Sequence, residues 1–120
     1  MRPIRLAHDP AYDKFGFAAG REARGILMAS GQIGNTRCDL AAQITSSLDA
    51  VAEVLAAGGY TLQDLLHLRI LVLDVDAFIA QWEVVREYFA PDEVPPNTLY
   101  QVARLANPYS LIEIEPTAVR

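Results

Sequence analysis

Any chemistry begins near the end of the chain at Glu115, whose neighbour Glu113 shares its strand face without a feature that assigns it chemistry. They stand in the extended run Leu111–Val119, Leu-Ile-Glu-Ile-Glu-Pro-Thr-Ala-Val. Period two puts Ile112, Ile114 and Ala118 on one face and Glu113, Glu115 and Thr117 on the other. Two carboxylates on one strand face are costly unless that face meets water, a partner or a ligand. Glu115 could serve as a general base, drawing a proton from water. The alternative is a carboxylate on a subunit interface, paired with Arg or backbone donors. The run before it, Thr98–Leu105, is entered through Pro95-Pro96-Asn97, and Ala106-Asn107-Pro108-Tyr109 separates the two. Both runs read as strands, the second partnered by the first. The Asn97 amide could hold a neutral ligand group or serve as a turn residue.

Ser30 and Gly31 add a second polar corner, inside the apolar run Ile26–Ile33. The Ser30 hydroxyl could face a ligand or bond a neighbouring backbone. A glycine inside a strand marks a bulge or a close approach to another backbone or a ligand. No motif ties a histidine to Ser30, so an activated nucleophile is not expected. His8 and His67 lack metal-ligand spacing, and neither a metal nor a cofactor is expected. Cys38 is the only cysteine, which excludes an internal disulfide and fits a reducing cytoplasm.

These residues need a scaffold, and 120 residues suffice for one domain, 1–120. Hydrophobic residues make up 52% of the chain, yet no apolar run approaches the length of a membrane span. The N-terminus carries no signal-peptide pattern. The net charge of −5 and the lack of a basic stripe argue against nucleic acid as a partner.

Arg2–Leu6 suggests a first strand and His8-Asp9-Pro10 a turn. Phe15–Ala19 is a short apolar run closed by the charged turn Gly20-Arg21-Glu22. Asp39 offers an N-cap for a helix ending at Gly58-Gly59. Its buried stripe is Leu40, Ile44, Leu48, Val51 and Leu55, with Gln43, Ser46, Ser47, Asp49 and Glu53 on the remaining surface. Thr61–Asp64 resembles a capping box. Leu66–Asp74 is a strand with Leu66, Leu68, Ile70 and Val72 on one face. Asp76 then caps a second helix to Ala90, with Phe78, Ile79, Trp82, Val85 and Phe89 buried. Trp82 reads as core in that stripe. Two helices cover only one face of a mixed sheet of about six strands. The other face, with Ile26, Met28 and Leu71, must close against other copies of the chain.

In series, Ser30-Gly31-Gln32-Ile33, Ala56-Ala57-Gly58, Leu71-Val72-Leu73-Asp74, Glu87-Tyr88-Phe89, Val102-Ala103-Arg104-Leu105 and Ile112-Glu113-Ile114-Glu115 resemble the RidA/YjgF family. The resemblance implies an α+β, chorismate mutase-like fold with two helices on one face of the sheet. It also implies a homotrimer whose sheets build a central barrel, with intersubunit clefts that take a small-molecule ligand. Many members are reactive-intermediate imine/enamine deaminases. The family's carboxylate-binding Arg falls on Asn97, its site tyrosine on Phe17 and its helix asparagine on Trp82. Ser30, Gly31 and Glu115 are retained, Glu115 matching the acid that activates water. Two functions follow from the resemblance: hydrolytic deamination of an imine or enamine other than the standard 2-imino acids, or a non-catalytic metabolite-binding or scaffold trimer. Endoribonuclease activity, proposed for some relatives, fits the acidic balance least.

Overall fold

The computed structural model describes all of residues 1–120. In chain order the elements are β1 (Arg2–Ile4), α1 (Pro10–Phe15), β2 (Gly20–Ala23), β3 (Ile26–Ala29), α2 (Leu40–Ala57), a 3₁₀ turn (Leu62–Asp64), β4 (Leu65–Val72), α3 (Val75–Ala80), α4 (Trp82–Phe89), β5 (Asn97–Gln101) and β6 (Ile112–Val119). The six strands form one sheet in the order β1-β2-β3-β6-β4-β5. Only β4 and β5 run parallel. The expected α+β architecture is therefore present, with α2 and the α3–α4 pair on one face and no helix over the other.

Alternation along β4 and β6 builds that division. Leu68, Ile70 and Val72 on β4 and Ile112, Ile114 and Ala118 on β6 are buried. They meet Ile44, Leu48, Val51 and Leu55 of α2 and Phe78, Val85 and Phe89 of α3–α4 in one core. Each fully buried aliphatic or aromatic side chain is worth roughly 1.5–3 kcal/mol relative to exposure. Asp39 caps α2 through its Oδ1, which accepts from the Ala42 N–H at 2.9 Å. By length and composition α2 could cross a membrane, contrary to the sequence reading, but its apolar stripe is spent on the sheet.

Several local expectations are corrected. The two C-terminal runs do not pair, because β4 lies between them. β5 ends at Gln101, since its partner β4 ends at Val72 and leaves no further ladder. Gly20–Ala23 is a strand rather than a turn, bonded to β1 and β3. The reversal falls one residue later, where Arg24 and Gly25 both have positive φ, 53° and 78°, the geometry of a two-residue hairpin. Phe15–Ala19 is the end of α1 and a connector. Leu66 faces solvent, 57% exposed, because a bulge between Leu65 and His67 takes it out of register. The second helix is two: Asp74, not Asp76, caps α3 by accepting from the Ala77 N–H at 3.0 Å. The chain breaks at Gln81, and Ile79 turns outward. Trp82 packs edge-on against Phe78 at 5.8 Å but is only partly buried, at the margin of the core. Gln43 and Ser47 are buried rather than on the surface of α2.

Candidate functional site

The uncovered sheet face sets the glutamates in different company. Antiparallel register places Arg69 opposite Glu115 and Leu71 opposite Glu113. The Arg69 guanidinium pairs with Glu115, Nη1 to Oε2 at 3.4 Å, and its Cζ lies 6.0 Å from the Tyr100 ring centroid. Beside them His67 Nε2 and Thr98 Oγ1 share a hydrogen bond of 3.1 Å. Glu115 thus has a cation partner within its own chain.

Glu113 has none; it takes part in none of the three ion pairs. It rests instead on Gly31. A Cβ at that glycine would stand 2.5 Å from both Cδ and Oε2 of Glu113. The close approach expected at Gly31 is therefore to a carboxylate. Its frame is a two-way bridge: the Gln32 N–H donates to the Ile114 carbonyl at 2.7 Å and Ile114 N–H to Gln32 at 3.0 Å. Burial, and secondarily the charge of Glu115, push the Glu113 carboxyl above its ordinary range. Its carboxyl is thus harder to ionise than a solvated one.

Ser30 joins the same corner. Its N–H donates to the Ala19 carbonyl at 2.8 Å and its hydroxyl, at 3.4 Å, to that of Ala18. Phe17 directly precedes these bonded residues in the chain and is 45% exposed. Asn97 is elsewhere. It opens β5 opposite Leu68, which puts its side chain in register with the helix-covered face, not with the glutamates. Its Nδ2 donates to the Pro95 carbonyl at 3.0 Å, the turn reading of that residue. Two strands, β6 and β4, separate β5 from β3, a gap of about 14 Å at ordinary strand spacing. Within one chain Ser30, Gly31 and Glu113 come together, with Glu115 two residues further along β6; Phe17 adjoins Ala18, to which Ser30 is bonded, and Asn97 stands apart.

The seat of Glu113 and the buried Gln43 were not found from the sequence. A strand glycine was the available signal for the first, but nothing in periodicity says which side chain will lie over it.

Residues 11–120 match the family model described as Endoribonuclease L-PSP. The chain is 30% identical over 112 residues to the 2-iminobutanoate/2-iminopropanoate deaminase of Escherichia coli K12, covering 87% of each. It resembles the crystal structure of the E. coli YjgF gene product with a TM-score of 0.88 and 29% identity, over 100% of this chain and 99% of that one. A structure from Mycobacterium tuberculosis, Rv2704 of the YjgF/YER057c/UK114 family, gives a TM-score of 0.88 at 25% identity over the whole of both chains.

Proposed function

Because the chain belongs to the endoribonuclease L-PSP family, that of YjgF and RidA, we propose that it is a RidA-like hydrolase that deaminates a small imine or enamine. The observation that carries this reading is the Glu113 carboxyl, outside every ion pair and seated on Gly31, with its pKa raised by burial and by the Glu115 charge. In the proposed reaction water adds to the carbon of a protonated imine. As the new C–O bond forms, the C=N electron pair moves to nitrogen and ionised Glu113 takes a proton from the water. Glu113 then returns that proton to nitrogen, the C–N bond breaks, and ammonia leaves as the carbonyl forms. Ammonia carries off the last proton as ammonium. Burial raises the Glu113 pKa most, and the neighbouring Glu115 charge adds to it.

The substrate carries no carboxylate at the family's usual place. A neutral Asn97 there forfeits a charge-assisted fork worth roughly 1.5–3 kcal/mol. Hydrolysis of 2-iminopropionate is therefore expected at one-tenth or less of the rate of the E. coli deaminase assayed beside it, with carboxylate-free imines turned over faster. Equal rates on 2-iminopropionate would refute the placement of the carboxylate site. The departures at Phe17 and Asn97 favour a second reading, a metabolite-binding trimer without turnover. Thermal shifts on a metabolite panel with no imine hydrolysis on any member would select it.

The same reading makes the protein a homotrimer. A cleft between copies offers a way for an Asn97 to approach a Glu113 corner that its own chain keeps two strands away. Met28 is 63% exposed on the open face, so Met28→Asp costs little in a monomer. In a trimer it buries an unpaired charge, at roughly 3–5 kcal/mol per site. Light scattering at micromolar concentration is expected to give a trimer for the wild type and a monomer for the variant. A monomeric wild type sinks the assembly.

A further inference from the structure

Phe15 and Phe17 are large apolar side chains that the fold leaves in water. Phe15 ends α1, a six-residue helix with no buried residue. It is 68% exposed, so core packing does not account for it. The two rings stack, with centroids 6.1 Å apart and planes 17° from parallel. The Phe15 ring already has a cation over it, the Lys14 ammonium at 5.2 Å. Ala18 and Ala19, next in the chain, give their carbonyls to Ser30, and Ser30 leads into Gly31 beneath Glu113. The aromatic pair therefore immediately precedes the segment that is bonded to Ser30.

Charge supplies the second observation. The corner holds two glutamates, the Arg69 guanidinium is paired with one of them, and the Asn97 amide is spent on Pro95. A substrate carboxylate would meet like charge and no free fork. A cation would meet an attractive field and aromatic faces.

Resting on the deaminase reading above, we propose that the substrate class is the protonated imine of an aryl-bearing aldehyde or ketone without a carboxylate. The flat aromatic body stacks on Phe15 and Phe17, and the iminium end reaches Glu113. The conversion consumes one water and gives the carbonyl compound and ammonium, with no oxidant, reductant or other co-reactant. Aromatic pairing adds about a twofold to tenfold preference beyond the area buried, so the total preference for aryl over short alkyl should reach roughly tenfold or more.

The test uses aldimines generated in place by a flavin amine oxidase from 2-phenylethylamine and from propylamine, with the rate of imine loss as readout. In parallel, calorimetry measures binding of the two parent ammonium ions. The aryl imine should have a kcat/KM at least about tenfold above the alkyl imine. That ratio should fall several-fold in Phe15→Ala and persist in Phe15→Trp, and phenylethylammonium binding should follow the same order. Equal turnover of both imines, insensitive to Phe15, overturns the substrate class and leaves the deaminase reading standing. Absence of hydrolysis, together with phenylethylammonium binding that Phe15→Ala abolishes, overturns the deaminase reading and keeps the aryl-cation site. A loss of assembly in Phe15→Ala, seen by light scattering, shows that the pair is a subunit contact and overturns the proposal.

Discussion

Glu113→Gln is expected to lower kcat/KM for imine hydrolysis by about 10²- to 10⁴-fold, the usual worth of a positioned general base. Glu115→Gln, which removes a charge already paired with Arg69, is expected to cost about tenfold or less. The two variants also differ in pH dependence. Burial and the Glu115 charge raise the Glu113 pKa, so the acidic limb of the rate profile lies above the ordinary carboxylate range. In Glu115→Gln the repulsive charge is gone, and that limb moves to lower pH. Stability changes in the opposite sense to activity. With its folded pKa above the unfolded value, Glu113 binds a proton more tightly in the native state. Wild-type stability therefore falls as pH climbs from the unfolded to the folded pKa, and levels off above it. Glu113→Gln escapes that loss. It should melt higher than wild type at neutral pH, with the difference vanishing in acid below the unfolded pKa. If Glu115→Gln were the dead variant and Glu113→Gln active, the proton carrier would be Glu115 and the pairing with Arg69 would have to break during turnover.

What the sequence made legible follows from what periodicity can encode. The alternation Ile112-Glu113-Ile114-Glu115 is a property of one strand, and the strand faces match it. The Asp39 cap and the glycine stop of α2 are equally local. Strand order is not local: β4 enters between the two C-terminal runs because a parallel crossover through α3–α4 brings β5 to its far edge. The bulge at Leu66 depends on pairing with β6, so strict alternation assigned Leu66 to the wrong side. The site suffers for the same reason. Ser30 and Gly31 were singled out from the sequence, and the structure sets Gly31 against Glu113 and bonds Ser30 to the residues that follow Phe17. Which glutamate lies over Gly31 is decided by the Gln32–Ile114 bridge, a contact between distant segments. Resemblance pointed to Glu115, while the packing favours its neighbour.

Gln43 is the clearest case of a residue misread for want of tertiary context, and its replacement is expected to cost the most stability. Helical spacing puts it beside the apolar stripe of α2, where a polar side chain is ordinarily solvated. It is instead 3% exposed and satisfied at both ends. Its Oε1 accepts from the Leu111 N–H at 2.9 Å. Its Nε2 lies 3.2 Å from the Cys38 carbonyl, 3.3 Å from that of Tyr109 and 3.4 Å from that of Thr36. One side chain thus ties the entry of α2 to the loop that delivers β6, the strand carrying Glu113. In Gln43→Leu the volume is nearly kept, but the Leu111 N–H and the carbonyls lose their partner. At roughly 1–3 kcal/mol for each buried group left unsatisfied, and with some relaxation toward water, the loss should be about 3 kcal/mol. For a domain of this size that lowers Tm by roughly 10–15 °C. Gln43→Glu separates hydrogen bonding from packing. It keeps the acceptor for Leu111 but aims a carboxylate oxygen at three carbonyl oxygens. The new glutamate should therefore stay protonated in the folded state, with its pKa raised. By the linkage that governs Glu113, Gln43→Glu should approach wild-type stability in acid and lose ground as pH rises through the carboxylate range. Thermal melts of both variants across pH decide the matter. A Gln43→Leu protein with wild-type Tm would show that water replaces the amide without cost. A pH-independent Gln43→Glu would show that the side chain turns out of the core.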